Sequence, residues 1–366
     1  MEALAADARI LVVRLGALRD VVFVGPAVRA LRRRYPAARM TAWVSPAGEA
    51  VARCLPGVND VFVGATCDTD EGITGASRGG ALPMSLAMRQ FAAAFLFTNA
   101  GETPYAAAFV AAAAGIPVRV GQSQEWGGGL LTDWVKPSRD DGHPVDRHLH
   151  LLETVGVPAA GRDLRLAVPD SARWRVRSRL REAGIRGRFV VVAPGGTCAA
   201  RRYEAHHYVA VLGELTTRGL SVILVGGLHD RALGAALATA VPGVLSWCGD
   251  LVFPELAALL GQAALFLGHA AGLMYVAHAL ARPMVILHAG TEPLPSWLSD
   301  APQITSLQRA VACSPCYQLT CPHDHQCLDV DPHDVADAVV RRLRPVHPAG
   351  MPAGTPCRIT PLRLSE

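Results

Sequence analysis

Residues 9–20 read RILVVRLGALRD, and this stretch decides the class of fold. Arg9 is followed by an unbroken run of four apolar residues, 10–13, which is typical of a strand buried on both faces of a parallel sheet. A short loop that contains Gly16 follows the run. Asp20 then opens a stretch whose apolar residues recur with helical spacing. Strand, glycine-containing loop and helix in this order predict the start of a β–α–β unit.

The same alternation of apolar runs and helical patterns continues along the chain and restarts near residue 189. Repeated units of this kind form parallel sheets with right-handed crossovers, so we predict an α/β protein with two doubly wound, Rossmann-like domains facing across a cleft. We place the domains at 1–165 and 166–344, with a disordered tail at 345–366. The predicted strands are 9–13, 40–44, 61–63, 91–97, 118–121, 189–192, 221–225, 265–267 and 283–287.

The composition excludes several classes of protein. Hydrophobic residues make up 51% of the 366 residues and charged residues 18%, which supports folded cores and argues against disorder. A net charge of +4 is too small to indicate a nucleic-acid partner. Neither a signal peptide nor an apolar run of membrane-spanning length is visible. We therefore expect a cytoplasmic protein without a transmembrane segment, whose cysteines are reduced or metal-bound.

Asp20 allows two interpretations. Aspartate at the start of a helix is a good capping residue, because its carboxylate accepts a backbone amide hydrogen bond. The same carboxylate, at the ligand-binding edge of a sheet, could take a proton from an acceptor hydroxyl. A carboxylate has two oxygens, so the two roles exclude each other only in part.

The loop after the first strand of the second half reads APGGTCAARRY over residues 193–203. Its glycines let backbone amides approach an anion, while Thr197 offers a hydroxyl and Arg201 a guanidinium that suits a diphosphate. A tight turn with surface arginines is the alternative. Asp230, which follows the next predicted strand, suits ribose hydroxyls or is ordinary loop chemistry.

A further segment reads LGHAAGLMYVA over residues 267–277. It again predicts the end of a strand, a glycine-bearing turn and the start of a helix. The free amides and the dipole of a helix that begins at Gly272 favour a pyrophosphate. The glycine could equally allow close packing of the helix on the strand.

Four cysteines fall within fifteen residues, with the spacing C-x2-C-x4-C-x5-C. This compact spacing suits a structural zinc or iron site that four thiolates would close. The alternative is a small knuckle packed by reduced thiols. The candidate ligands are Cys313, Cys316, Cys321 and Cys327.

In order and spacing, these segments resemble glycosyltransferase family 9, the bacterial ADP-heptose:lipopolysaccharide heptosyltransferases, from residue 9 to about residue 343. The segments that carry the resemblance include RILVVRLGALRDVVFVGPAVRALRRRYP, HPVDRHLHLLETVGV, ILVGGLHDRAL, GHAAGLMYVAHALARPMVILHAGTEP and CSPCYQLTCPHDHQCLDV. The resemblance implies a GT-B fold, with the acceptor bound by the N-terminal domain and the donor by the C-terminal domain. It also implies inverting transfer that requires no cofactor, from a nucleotide-sugar, ADP-heptose above all, to a glycan or small-molecule acceptor.

The resemblance also implies roles for single residues. Asp20 matches the catalytic aspartate, which would deprotonate the acceptor hydroxyl. Thr197 and Arg201 match residues that bind the donor phosphates, Asp230 matches an acidic residue at the nucleoside, and Gly272 matches the glycine at the donor-binding helix.

The chain departs from the family pattern at two places. In the donor motif, a carboxylate, a hydroxyl and an imidazole are replaced by Ala270, Ala271 and Tyr275. Such a loss either weakens donor binding, or His269 and Tyr275 recognise a different sugar. On the acceptor side, near Gly16, the glycine usual before the aspartate is Arg19, a cation that favours the ionised carboxylate or holds an acidic acceptor. The alternative to an enzyme is a non-catalytic member that binds a nucleotide or a partner protein.

Overall fold

The computed structural model describes residues 4–64, 81–138, 142–293 and 301–344. It divides the chain into two compact units, Met1–Ala167 and Val168–Glu366. In the part that is described, no helix combines the length and the apolar character that a bilayer crossing needs. The predicted tail at 345–366 lies outside the described residues.

The first unit is built on a six-stranded parallel sheet with the order β3-β2-β1-β4-β5-β6. Its strands are β1 (Arg9–Arg14), β2 (Arg39–Val44), β3 (Asp60–Val63), β4 (Ala93–Leu96), β5 (Val118–Gln122) and β6 (Asp133–Val135). Its helices are α1 (Leu18–Arg34), α2 (Glu49–Ala52), α3 (Ala81–Ala87), α4 (Tyr105–Ala113) and α5 (Pro144–Thr154).

Burial explains the two elements that position the N-terminal loop. Every residue of β1 after Arg9 is buried, as its apolar sequence predicts for the interior of a parallel sheet. On α1, buried Val21, Val24, Val28 and Leu31 recur every three to four residues and form a face that packs toward the core. Each such side chain contributes about 1.5–3 kcal/mol when fully buried. The loop between β1 and α1 is therefore held by two well-packed elements.

The second unit repeats this plan with the strand order β12-β11-β10-β7-β8-β9, again all parallel. Its strands are β7 (Phe189–Ala193), β8 (Ser221–Leu224), β9 (Val244–Ser246), β10 (Leu265–His269), β11 (Met284–Leu287) and β12 (Ile304–Leu307). Its helices are α6 (Asp170–Glu182), α7 (Ala205–Thr217), α8 (Arg231–Ala240), α9 (Phe253–Gln262), α10 (Gly272–Ala279) and α11 (Pro332–Leu343).

Each sheet has one point at which the strand order reverses. In the first unit β1 lies between β2 and β4, with Val13 opposite both Trp43 and Leu96. In the second unit β7 lies between β8 and β10. Loops that leave the two central strands in opposite directions open a crevice at their carboxyl ends, where ligands of doubly wound sheets bind. The loops after β1 and β4, and those after β7 and β10, are therefore the places to look for chemistry.

All nine predicted strands are present, and the predicted α/β class with two doubly wound sheets is confirmed. Three further strands, β6, β9 and β12, were not predicted, and each lies at an edge of its sheet. The sequence of residues 68–83 is rich in Gly, Ser and Thr and predicts a loop. Residues 65–80 lie outside the described residues, and the prediction is wrong at its end because α3 begins at Ala81.

Candidate active site

Asp20 lies at the switch point of the first sheet, as the third residue of α1. Its side chain is buried, and the residue is only 6% exposed. Its Oδ2 accepts a hydrogen bond of 2.8 Å from the backbone N–H of Ala17. The N-cap of α1 is Ala17 and not Asp20, but one oxygen of Asp20 accepts an amide hydrogen bond at the helix start, as the capping interpretation predicts. The other oxygen is turned to a different set of groups.

Asp20 Oδ1 faces three donors. The Nη2 of Arg14, at the end of β1, lies 3.3 Å away. The amide Nδ2 of Asn99, in the loop after β4, donates a hydrogen bond of 3.1 Å. Arg19 Nε lies farther away, at 3.8 Å, on a side chain that is half exposed. The predicted cation beside Asp20 is present, but the closer cation is Arg14, which sequence reasoning did not select.

Gly16 lies against the other oxygen of Asp20. A Cβ built at this position would come within 2.7 Å of Asp20 Oδ2, too close for any side chain. The carbonyl of Gly16 accepts a hydrogen bond of 2.6 Å from Ser45 Oγ, which fixes the loop. Because glycine has no side chain, the backbone at Gly16 can approach Asp20 Oδ2 this closely.

A cavity of about 510 Å³ lies at the carboxyl ends of β4, β5 and β6. Its lining includes Glu102, Thr103, Gln124 and Glu125, so carboxylates, a hydroxyl and an amide face it. Trp134 Nε1 donates a hydrogen bond of 3.1 Å to the Ser123 carbonyl and fixes part of the wall. The cavity is large enough for a sugar and offers the groups that bind hydroxyls.

In the second unit, Asp230 is held by glycines. Its Oδ2 accepts a hydrogen bond of 2.9 Å from the N–H of Gly227. A Cβ at Gly195 would come within 2.1 Å of Asp230 Oδ1, and one at Gly226 within 2.5 Å of Oδ2. The glycines of the loops after β7 and β8 therefore make room for this carboxylate at the edge of the sheet.

Arg201 forms an ion pair with Glu292, which lies in the loop after β11. Its Nε is buried and has no partner among the described residues. Thr197, four residues earlier, is exposed on the same loop. Glu292 was not selected from the sequence, although the segment HAGTEP that contains it was part of the family resemblance. The pairing joins positions 91 residues apart, so no local pattern could have shown it.

His269, at the end of β10, has both ring nitrogens engaged. Its Nε2 accepts a hydrogen bond of 2.9 Å from the Tyr203 backbone N–H, so Nδ1 carries the proton and donates to the Gly195 carbonyl at 2.9 Å. Burial lowers the pKa of His269 to about 4. The contact of His269 with a sugar stays a prediction. A neutral, buried imidazole with both nitrogens satisfied fastens the loop after β7 to β10.

This burial predicts a pH-dependent stability. Free histidine ionises near pH 6.5, so between pH 6.5 and about 4 the unfolded chain binds a proton that folded His269 does not. Stability should fall as the pH decreases through this range, by on the order of 2 kcal/mol between pH 7 and pH 5. Urea unfolding should show a smaller pH dependence in His269→Gln than in the wild type. The exposed His229→Gln should behave like the wild type, and equal slopes for all three proteins would contradict the assignment.

The helix α10 begins at Gly272, as predicted. Ala271 precedes it and provides no side-chain cap for the amides of the first turn. These amides and the positive end of the helix dipole favour an anion. Tyr275 is buried on α10, at 8% exposure, which leaves little of its side chain for contact with a donor.

The four cysteines of the second unit line one cavity of about 250 Å³, together with Gly290 and Thr291. Backbone hydrogen bonds connect their segment to the loops described above. The N–H of Cys316 donates to the Gly290 carbonyl at 3.0 Å, and the N–H of Ala200 donates to the Leu319 carbonyl at 3.0 Å. The segment therefore fastens the loop after β7 and the loop after β11.

The thiols are not arranged as metal ligands. Among the described residues, no group of three or more His, Cys, Asp and Glu side chains is placed to hold a metal ion. Cys313 is exposed whereas Cys327 is buried, and burial raises the pKa of the Cys327 thiol. The thiols converge on one cavity but at different depths, so the metal site stays a prediction.

Comparison with known proteins identifies the family. The profile of Glycosyltransferase family 9 (heptosyltransferase) matches residues 86–326, well over half of the chain. Lipopolysaccharide heptosyltransferase 2 of Salmonella typhimurium is 25% identical over 304 residues, which cover 78% of this chain and 84% of that protein. Lipopolysaccharide heptosyltransferase 3 of Escherichia coli is 28% identical over 155 residues, 41% of this chain, and this match spans less than half of the relative, 46%.

A solved structure shows the same fold. The Escherichia coli ADP-heptose LPS heptosyltransferase II superimposes with a TM-score of 0.72 at 20% identity, over 92% of this chain and 98% of that one. The likeness confirms the predicted GT-B fold. With the profile match, it leads to one conclusion: the chain belongs to glycosyltransferase family 9, the heptosyltransferase family.

Proposed function

We propose that the chain is an inverting glycosyltransferase, which moves a heptose or a related hexose from a nucleoside diphosphate donor to an acceptor hydroxyl. The observation that supports it best is a matched pair of switch points. One holds the buried carboxylate of Asp20, which Arg14 links to Glu102 in the wall of a polar cavity. The other holds Arg201 on the loop after β7 and the uncapped start of α10 after β10, the groups that a diphosphate needs.

We propose Asp20 as the general base. The acceptor oxygen forms a bond to the anomeric carbon while the bond from that carbon to the diphosphate oxygen breaks. The hydroxyl proton passes to Asp20, and the nucleoside diphosphate leaves with the electron pair. Displacement on the face opposite the leaving group inverts the anomeric centre. We propose Oδ2 as the proton acceptor, because it accepts one hydrogen bond, from the Ala17 N–H, whereas Oδ1 faces Arg14, Asn99 and Arg19.

The donor is proposed to bind the second unit. Arg201 and the first-turn amides of α10 would neutralise charge that builds up on the departing diphosphate. Arg201 would have to leave Glu292 to contact the donor. Only an anion that competes with the Glu292 carboxylate for this guanidinium would therefore bind. Asp230, held at the end of β8, is proposed to bind the nucleoside, and Thr197 a phosphate oxygen. ADP-heptose is the proposed donor, because a structural neighbour is described as an ADP-heptose heptosyltransferase.

The acceptor is proposed to occupy the 510 Å³ cavity of the first unit. The cavity lies beside Glu102, which shares Arg14 with Asp20, so an acceptor bound there is near the proposed base. A glycan or a small polyhydroxylated molecule fits its polar lining. Gly16 and Arg19 are proposed to border the acceptor, as the loop that carries Asp20.

A second candidate function is non-catalytic binding of a nucleotide. It is favoured by Ala270 and Ala271, which supply no polar side chain where the family has a carboxylate and a hydroxyl. The remaining donor groups, Arg201 and the start of α10, would still hold a diphosphate. Both candidate functions predict that the chain binds a nucleotide, but only the first predicts that it transfers the sugar.

Thermal unfolding with a panel of ADP-, GDP- and UDP-sugars tests the shared part of the proposal. A ligand that binds only the folded state at a hundred times its Kd adds about 2.7 kcal/mol of stability. We expect one nucleotide series, the ADP-linked one, to raise the midpoint with increasing concentration. A panel in which no nucleotide-sugar shifts the midpoint would contradict donor binding by this chain.

The predicted zinc or iron at Cys313, Cys316, Cys321 and Cys327 would be structural, and we derive no step of the reaction from it. Elemental analysis of protein purified without an affinity metal should find about one metal ion per chain if the thiols close around it. A metal content near zero would leave a knuckle of reduced thiols, the alternative that the spacing also allows.

A further inference from the structure

A second carboxylate shares the cation that contacts Asp20. Arg14 is almost completely buried, at 1% exposure, and its Nη2 lies 3.3 Å from Asp20 Oδ1. Its Nη1 donates a hydrogen bond of 2.9 Å to Glu102 Oε2. Glu102 comes from the loop after β4, on the other side of the switch point. One guanidinium therefore lies between two carboxylates that the fold brings together from distant parts of the chain.

Asn99 links the same two carboxylates a second time. Its Nδ2 donates to Asp20 Oδ1 at 3.1 Å and to Glu102 Oε1 at 2.8 Å, so both of its amide hydrogens are used. Its backbone N–H donates to Glu102 Oε2 at 2.8 Å. Because a side-chain amide can donate only from nitrogen, these contacts fix the orientation of Asn99. The bridge holds Asp20 and Glu102 at a set separation.

Glu102 balances part of the positive charge at this site. A cation beside a carboxylate favours its ionised form and makes it a weaker proton acceptor. Asp20 faces the guanidinium of Arg14, which is fully charged and shielded from water, and more distantly that of Arg19. Glu102 supplies the negative charge that offsets Arg14.

The neighbouring helix α5 contributes no opposing charge through His148. Burial, together with the nearby charge of Arg14, lowers the pKa of His148 to about 3, so this imidazole is neutral in the working range. Arg147, next to it, donates from Nε to the Thr98 carbonyl at 3.0 Å and adds a further cation on that side. Among the described residues, Arg14 pairs with two carboxylates, Asp20 and Glu102, so Glu102 supplies the second negative charge beside this guanidinium.

We infer that Glu102, bridged by Asn99, is a positioning residue that offsets the charge of Arg14 and holds Arg14 and Asn99 against Oδ1 of Asp20, so that Asp20 is set to take the acceptor's proton. This inference rests on the proposed function, because it presupposes Asp20 as the base. It assigns to Glu102 an electrostatic role in the reaction in addition to its place in the wall of the cavity.

The test is the pH profile of kcat/KM for the acceptor in Glu102→Gln. Loss of the negative charge should move the midpoint of the acidic limb by about one pH unit to lower pH and lower the plateau by about tenfold, while the KM for the donor stays unchanged. Glu102→Asp keeps the charge and should restore the midpoint. Glu153→Gln, which neutralises an exposed carboxylate of α5, should leave the profile unchanged.

The outcomes separate the inference from the proposed function. If Asp20→Asn kept the wild-type turnover, Asp20 would not be the base, and the proposed function would lose its mechanism. An inactive Asp20→Asn combined with a wild-type profile in Glu102→Gln would overturn only the role of Glu102. Should Glu102→Gln fail to fold, Asn99→Ala gives a second test, since it removes the bridge without changing charge. It should lower kcat, because one amide no longer joins Asp20 to Glu102, and a wild-type kcat would overturn the inference.

Discussion

Replacing Asp20 by asparagine is expected to lower kcat by about two to four orders of magnitude, the contribution that a positioned general base makes. An amide cannot accept the proton of the acceptor hydroxyl. Its oxygen can still accept the hydrogen bond from the Ala17 N–H that begins α1, so the fold should persist. Donor affinity should not change, because the donor groups lie in the second unit. Turnover measured with saturating donor and acceptor, together with a thermal melt, checks this.

Asp60→Asn is the matched control. Asp60 begins β3, at the opposite edge of the same sheet, where it pairs with Arg89 at 2.6 Å. Its replacement removes an ordinary half-exposed ion pair, which contributes little to stability, and kcat should stay at the wild-type value. If Asp20→Asn and Asp60→Asn were equally active, Asp20 would be a helix cap and nothing more.

Replacing Arg201 by alanine is expected to raise the KM for the donor on the order of 10- to 100-fold, since hydrogen bonds to charged groups are each worth about 1.5–3 kcal/mol. The loss has two parts. The guanidinium that neutralises the diphosphate is absent, and Glu292 is left as an unpaired carboxylate that repels the same diphosphate. Glu292→Gln combined with Arg201→Ala should therefore recover part of the affinity.

Arg218→Ala provides the control for this change. Arg218 follows α7 at the end far from the loop that carries Arg201, and it pairs with Glu214 and Asp337. Calorimetric titration of the donor should give the wild-type Kd for Arg218→Ala and a much weaker one for Arg201→Ala. Donor affinity that is the same in both variants would place the diphosphate elsewhere.

The interior strands of both sheets could be predicted from the sequence, whereas three of the four edge strands could not. A central strand such as β1 or β7 is buried on both faces, so its sequence is a continuous apolar run. The edge strands β6, β9 and β12 have three or four residues and are partly exposed. They carry residues such as Asp133, Ser246 and Ser306, and nothing in so short a mixed pattern distinguishes a strand from a loop.

The candidate site divides in the same way. Asp20 and Gly16 were predictable because they lie on one loop, where local order shows the strand and the helix. Arg14, Asn99 and Glu102 meet Asp20 only because β1 and β4 are neighbours, and Glu102 is 88 positions from Arg14. The backbone hydrogen bonds of His269, which join the loop after β7 to β10, likewise connect distant positions and could not be predicted from local sequence.

Turnover itself is the most direct test of the central claim that this chain transfers a sugar. Wild-type protein is incubated with ADP-heptose and a panel of hydroxyl-bearing acceptors, and both the released ADP and the glycosylated product are quantified. We predict that ADP and product form in equal amounts, with the anomeric configuration inverted, and that both disappear in Asp20→Asn. Tight binding of ADP-heptose without release of ADP, with every acceptor and at every pH tested, would contradict the transferase and leave a nucleotide-binding protein.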